Sequence, residues 1–305
     1  YCANIGDAGA SAIASLLNKN NPPLTGLFLN LANIGVEGAK AIASALEKNY
    51  FLSKLWMGQN NITSVGARHF AEALENNSSL RSIALNESNI DTIGAQAIAA
   101  MLEKNIALTS INVDWNPAIG YEGGKAIAKA LETNFTLNSV SLNGAAIGYE
   151  GAIAIANALI KNRSLTHISL RHNDIGDKGV TAIAEALITN KSITSLMLND
   201  NHISDEGAKA IARLIEHSTS LEGIYLNDNQ ISDEGAKIIA EALIKNTSIK
   251  SIDLSGNPIQ AEGLTAIANM VETKLSLYSV TMNWHPAGAQ LRNEVSMHSR
   301  RNYLY

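Results

Sequence analysis

LEGIYLNDNQISDEGAKIIAEALIKNTS, residues 221–248, is the stretch whose reading decides the fold. Its apolar anchors Leu221, Ile224, Leu226 and Ile231 fall in the first half, where brief alternation of aliphatic residues describes a short strand with one buried face. The second half has helical spacing, clearest in another copy, Gly179 to Leu187, where Val180, Ile183, Ala184 and Leu187 form one inward stripe. Aligning Leu24, Leu52, Leu80, Leu108, Leu137, Leu165, Ile193, Leu221, Ile249 and Leu277 gives steps of 28 residues, except for 29 between Leu108 and Leu137. Such a period marks a solenoid, in which each strand–helix unit buries its core only against its neighbours.

The turns agree with this reading. Ser204-Asp205-Glu206 and Ser232-Asp233-Glu234 put a capping hydroxyl and carboxylates at helix starts. Asn77, Asn105, Asn134, Asn162, Asn190 and Asn246 recur after the helices, where asparagine is expected in the left-handed conformation that ends them. A further series, Asn60, Asn116, Asn173, Asn201, Asn229 and Asn257, follows the strands and reads as a ladder of buried amides pairing with their own and the next turn. Ala32, Ser88, Ala145 and His285 interrupt it, which predicts looser or hydrated turns there.

Strands pack about 4.8 Å apart and helices about 10 Å apart, so stacking like on like must bend the array into a horseshoe with the strands inside. Gly-Ala pairs such as Gly207-Ala208 let the outer helices approach closely and moderate that bend. The expected fold is an α/β solenoid, with parallel strands on the concave face and helices on the convex face. Residues 1–23 form a partial first repeat, 24–276 nine repeats, and 277–305 a last partial repeat with a cap. Tyr1 to Ala10 already match the later part of a repeat, so the reading expects the natural chain to extend upstream. The cap is expected as an amphipathic helix through Leu291, Val295, Met297, Tyr303 and Leu304, with Arg292, Arg300 and Arg301 in solvent.

The pattern L-x-x-L-x-L-x-x-N, with helices such as Gly38-Ala-Lys-Ala-Ile-Ala43 and Gly207-Ala-Lys-Ala-Ile-Ala212, resembles the ribonuclease-inhibitor-like class of leucine-rich repeat, in particular its bacterial branch. The likeness covers nearly the whole chain. The class includes ribonuclease inhibitor, the Ran GTPase-activating protein, the sensor arm of immune receptors, and effectors of intracellular bacteria, so it implies a fold and not a partner. Vertebrate members usually carry cysteine where this chain has asparagine or alanine, which points to a microbial origin. The activating protein's loop residues find no counterpart here, and a GTPase-activating role is kept only as a remote option.

Composition narrows the function. Hydrophobic residues make up 46% of the chain and aromatics 5%, so the core is aliphatic. A net charge of −5 without a basic stripe argues against nucleic acid, and Cys2 as the only cysteine fits a reducing, cytoplasmic compartment. No stretch is apolar for the roughly 18 residues a membrane span needs. There is no G-x-S-x-G, Walker phosphate loop, H-E-x-x-H or C-x-x-C, and His167, His172 and His202 match no metal-ligand spacing. No enzyme, cofactor or metal is expected. Six N-x-S/T triplets, beginning at Asn61, Asn77, Asn134, Asn162, Asn190 and Asn246, arise mostly from the repeat itself.

What remains is recognition of another protein by a monomeric module. Positions two, three, five, seven and eight of each repeat face away from the core and are mostly small and polar. The exceptions are informative: Trp56 at position five with Phe28 beside it on the adjacent strand, and Trp115 and Trp284 at position eight. Exposed tryptophan suits an interface anchor, although the rings could instead cover neighbouring turns or an end of the array. A second set joins His167, Arg171, His172 and Tyr225, followed by Asp200, Asp228 and Asp253, and predicts a face whose charge is segregated along its length. Tyr121 and Tyr149, just before two successive helices, are expected to stack on one rim. Two settings fit such a module: the targeting part of a secreted bacterial effector acting in host cytosol, or an autoregulatory arm of a larger sensor.

Overall fold

The computed structural model describes residues 4–19, 23–274 and 277–282. Tyr1, Cys2, Trp284, His285 and the expected carboxy-terminal cap lie outside the described residues. The chain divides into two compact units, residues 1–147 with 161–165, and residues 148–160 with 166–305.

In the first unit, helices α1 (Gly6–Lys19), α2 (Val36–Leu46), α3 (Thr63–Leu74), α4 (Thr92–Leu102) and α5 (Gly120–Leu131) alternate with strands β1 (Gly26–Phe28), β2 (Lys54–Trp56), β3 (Ser82–Ala84), β4 (Ser110–Asn112) and β5 (Ser139–Ser141). The strands pair in parallel in chain order, with equivalent repeat positions opposite one another, as in Leu27↔Leu55, Leu55↔Ile83 and Ile83↔Ile111. In the second unit, α6 (Gly148–Lys161), α7 (Gly176–Thr189), α8 (Asp205–His217), α9 (Asp233–Lys245) and α10 (Ala261–Thr273) alternate with β6 (His167–Ser169), β7 (Ser195–Met197), β8 (Gly223–Tyr225), β9 (Ser251–Asp253) and β10 (Ser279–Thr281). These strands too are parallel and in register, Ile168↔Leu196↔Ile224↔Ile252↔Val280. The 29-residue repeat places its extra residue in a single 3-10 turn, Pro117–Ile119, before α5. That turn absorbs the insertion without shifting the Ile111↔Val140 pairing.

Each core is a column of identical layers. The predicted anchors Leu52, Leu80, Leu165, Leu221, Ile224, Leu226 and Ile231 are buried, while Leu24 is half-buried. Three polar ladders bind the layers together. In the first, Asn60 donates through Nδ2 to the carbonyls of Met57 and Leu29, while its Oδ1 accepts from the N–H groups of Ala32 and Ile34. Asn201 repeats the pattern in the second unit, donating to Leu170 and accepting from Asn173 and Ile175. The amide therefore serves its own turn and the preceding one, not the following one as expected. The turns at Ala32, Ser88 and Ala145 are closed instead of loose or hydrated, since all three residues are fully buried. At Ala32 and Ser88 the next repeat's asparagine still accepts the backbone N–H.

The second ladder corrects a sequence expectation. The asparagines that follow the helices are not left-handed: Asn190 and Asn246 are extended, with φ −74° and −77°. They are buried side-chain bridges. Asn246 donates to the carbonyls of Ile215 and Ser218 and accepts from the N–H groups of Ser248 and Ile249. Asn77 does the same with Leu46, Asn49, Ser79 and Leu80. Carbonyls left over at a helix end are thereby satisfied by the next repeat, and the recurrent N-x-S/T triplets are explained by this packing.

The third ladder runs along the helix starts. Ser204 and Ser232 cap α8 and α9 as expected, accepting from Glu206 and Glu234. In the second unit an aspartate at one helix start serves the following helix: Asp177 accepts from the N–H groups of Ser204 and Gly207, and Asp205 from those of Ser232 and Gly235. A side chain at Gly207 would place its Cβ 2.6 Å from the Asp177 carboxylate. Glycine is needed there to let that carboxylate reach the backbone.

Candidate functional site

Beyond each buried strand residue the chain turns through a left-handed residue at position eight. Leu31, Gln59, Glu87, Trp115, His172, Asp200 and Asp228 have φ between 51° and 59°, while Gly144 and Gly256 occupy the same place. This backbone region suits glycine, asparagine and aspartate, and costs other residues about 1–2 kcal/mol. Gln59, Glu87 and His172 bear that cost as well as Leu31 and Trp115, but only the last two are apolar, and both belong to the first unit.

The exposed strand face of that unit is apolar at four points. Phe28 and Trp56 sit opposite one another on β1 and β2, their rings edge to face with centroids 4.9 Å apart. They remain 49% and 41% exposed despite that contact, and Leu31 is 65% exposed at the end of the same turn. Trp115 follows β4, two strands beyond β2. Its indole lies over Gly144, where a Cβ would collide with the ring, yet it is still 48% exposed. Trp115 thus partly covers a neighbouring turn and is also partly exposed. Leu31 escaped the sequence reading, although it shares position eight with Trp115 and could have been found by that register.

The second unit differs. His167 and Tyr225 come together around an open depression of about 250 Å³, lined also by Ser195, Glu222, Gly223 and Lys250. Gly223 forms its floor, with the Tyr225 ring 3.2 Å from where a Cβ would stand. Lys250 pairs with Glu222 at 2.7 Å, which raises the lysine pKa through the hydrogen bond and the carboxylate charge. Arg171 and His172 lie at the other end of the strand. The Arg171 guanidinium reaches the Met197 sulfur at 3.0 Å, and His172 Nδ1 meets an Asp200 carboxylate oxygen at 2.5 Å. Asp228 accepts from the Asn227 amide at 2.7 Å and packs against Gly256. Where the His167, Arg171 and His172 stretch meets the aspartates, His172 and Asp200 stand side by side, and Lys250 and Glu222 form an ion pair across two strands. His202 pairs with Asp174 at 3.0 Å, and no group of three or more metal-ligating side chains occurs among the described residues.

Tyr121 and Tyr149 stand inside the first turns of α5 and α6, not before them. Each ring is approached by a lysine, Lys125 at 5.7 Å and Lys178 at 5.4 Å.

The Leucine Rich repeat model matches residues 20–43, 76–99, 104–128, 133–156, 161–184, 189–212, 217–240 and 245–268, well over half of the chain. The chain belongs to the leucine-rich repeat family and is an α/β leucine-rich repeat solenoid. The matched segments pass over residues 44–75, the part of the chain that carries Trp56. No curated protein matches the chain in sequence. Among solved structures, the leucine-rich repeat-containing protein LegL7 from Legionella pneumophila is similar, with a TM-score of 0.56 at 15% identity over 94% of each chain. An internalin (inlF) from Listeria monocytogenes gives a TM-score of 0.45 at 18% identity, over 95% of this chain and 93% of its own. The tropomodulin C-terminal domain of Caenorhabditis elegans gives 0.44 at 22% identity, over 51% of this chain and 93% of its own. These likenesses concern the fold. Solenoids of this kind are typically binding scaffolds without chemistry of their own, their repeats presenting an extended surface to other proteins. No helix among the described residues is long and apolar enough to cross a membrane.

Proposed function

We propose that this chain is a protein-recognition module whose first unit grips a partner protein on its strand face, with Phe28, Leu31, Trp56 and Trp115 as anchors. The observation that carries the reading is the pair of large apolar residues, Leu31 and Trp115, held in left-handed backbone and still exposed to solvent. Gln59, Glu87 and His172 bear the same backbone cost while exposed, but Leu31 and Trp115 add apolar surface left open to solvent, and that combination points to function. Phe28 and Trp56 extend the same surface with the residue types that dominate interface hot spots. His167 and Tyr225 are the secondary contacts, around the depression of the second unit. Arg171, His172 and Asp228, already engaged within the face, tune specificity more than they attract.

The setting we favour is the targeting part of a secreted bacterial effector of the ribonuclease-inhibitor-like class, acting as a monomer in host cytosol. Support comes from the uniform period and the G-A-K-A-I-A helices. A sensor arm folding back on another domain of the same polypeptide is the second reading, and a nucleotide-binding domain in the full-length gene product would favour it. The test is affinity capture from host and native lysates with wild type beside the Trp56→Ala, Trp115→Ala double variant, both verified as folded by circular dichroism. A protein retained by wild type and lost by the folded variant supports the reading. Equal retention by both removes it.

A further inference from the structure

A second surface of the first unit borders the strand face, meeting it at Lys54 on the exposed side of β2. At the edge where each helix returns to the next strand, the residue after the ladder asparagine points outward. In the first unit this residue is Tyr50, Ser78, Ile106, Phe135 and Arg163 in successive repeats. Tyr50 is 66% exposed, Ile106 81% and Phe135 58%, and Tyr50 is backed by Phe51 with ring centroids 4.5 Å apart. The equivalent residues of the second unit are Lys191, Thr219 and Thr247, so the fold does not demand apolar side chains here.

Charge distinguishes this edge as well. Residues 50–54, 78–82, 106–110, 135–139 and 163–165 include Lys54, Arg81 and Arg163 but no aspartate or glutamate, in a chain whose net charge is −5. Lys54 and Arg81 have no carboxylate partner among the described residues. The carboxylates Glu75 and Glu132, further back on the helices, are paired with Lys104 and Lys161 at 2.8 and 2.6 Å.

We infer that this edge is a docking site for an acidic amphipathic helix of another protein. Strands repeat about every 4.8 Å, so Phe135, Ile106 and Tyr50, one and then two repeats apart, mark a row with steps of about 5 and 10 Å. A helix rising 1.5 Å per residue offers apolar side chains at matching intervals on one face, about three to four and then seven residues apart. Acidic residues flanking that face would meet Lys54, Arg81 and Arg163. A flat anionic membrane is the other surface that an apolar and basic edge attracts, but it would also have to approach the exposed Glu47 and Glu103 behind the row, which a slender helix avoids.

The test uses the full chain and three probes: a labelled synthetic peptide with leucine at helical spacing and glutamate elsewhere, the same peptide with lysine replacing every glutamate, and phosphatidylserine vesicles. The acidic peptide is expected to bind wild type. Its affinity should fall at least about tenfold in the Ile106→Ser, Phe135→Ser variant and several-fold in Lys54→Glu, while Trp56→Ala, Trp115→Ala leaves it unchanged. The inference is overturned by no binding of the acidic peptide, by equal binding of the lysine peptide, or by vesicle binding abolished by the Ile106 and Phe135 changes. Loss of peptide binding in the tryptophan variant alone would also overturn it, while leaving the strand-face reading standing.

Discussion

The two units are built from one repeat with the same two asparagine ladders, yet they differ in what they show to solvent. The first exposes Phe28, Leu31, Trp56 and Trp115 on its strand face and Tyr50, Ile106 and Phe135 on its edge. The second carries His172 paired with Asp200, His202 with Asp174 and Lys250 with Glu222. Because the interior requirements are the same, the contrast is not dictated by folding. On the proposed reading, it marks the surface that meets a partner.

The strongest check on the shared interior is removal of a ladder amide from each unit. Asn60→Ala and Asn201→Ala each strand buried N–H and C=O groups, so each should lose about 3 kcal/mol in urea unfolding. Similar losses confirm a common scaffold, and a much smaller loss in one unit would break the comparison. A smaller effect of opposite sign is expected at position eight. Leu31→Gly relieves a left-handed residue at φ 56° and should gain about 1 kcal/mol of stability. Asp228→Gly should gain less, because aspartate tolerates that conformation better. If Leu31→Gly destabilises, the leucine is there for packing and the argument from strain fails.

The smallest effect concerns acid. The Asp91 carboxyl is held below its ordinary 3.8 by the Ser64 hydroxyl first, then by the Gly94 N–H at the start of α4. A folded-state pKa below the unfolded value gives stability that is present above 3.8 and lost as pH falls through the folded value. Melting temperatures of wild type and Asp91→Asn between about pH 5 and pH 3 should therefore converge, with wild type falling more steeply. Parallel curves would show that the carboxylate does not contribute through its charge.

Much of this was legible in the sequence, because a solenoid repeats its evidence. The 28-residue step and the apolar anchors define strand, helix and parallel register without any long-range guess. The Phe28 and Trp56 pair also follows from register alone, since equivalent positions in adjacent repeats must be neighbours. Local backbone conformation was less legible. Asparagine after a helix suggests a left-handed end, but Asn190 and Asn246 are extended because the carbonyls of the preceding repeat capture their amides. The left-handed residue lies instead at position eight, where Gln, Glu, His and Leu gave no hint of it. The same register rule makes His172 and Asp200 neighbours, since both hold position eight of adjacent repeats, although residue type alone groups them into separate charged stretches.

The central claim is that the first unit's strand face carries most of the recognition, with the second unit's contacts secondary. It is tested most directly by titration calorimetry of the captured partner against wild type and two folded double variants, Trp56→Ala with Trp115→Ala, and His172→Ala with Tyr225→Ala. The account predicts at least about a 30-fold loss of affinity in the tryptophan variant and a change within about threefold in the other. Equal losses, or a loss confined to the His172 and Tyr225 variant, would contradict it.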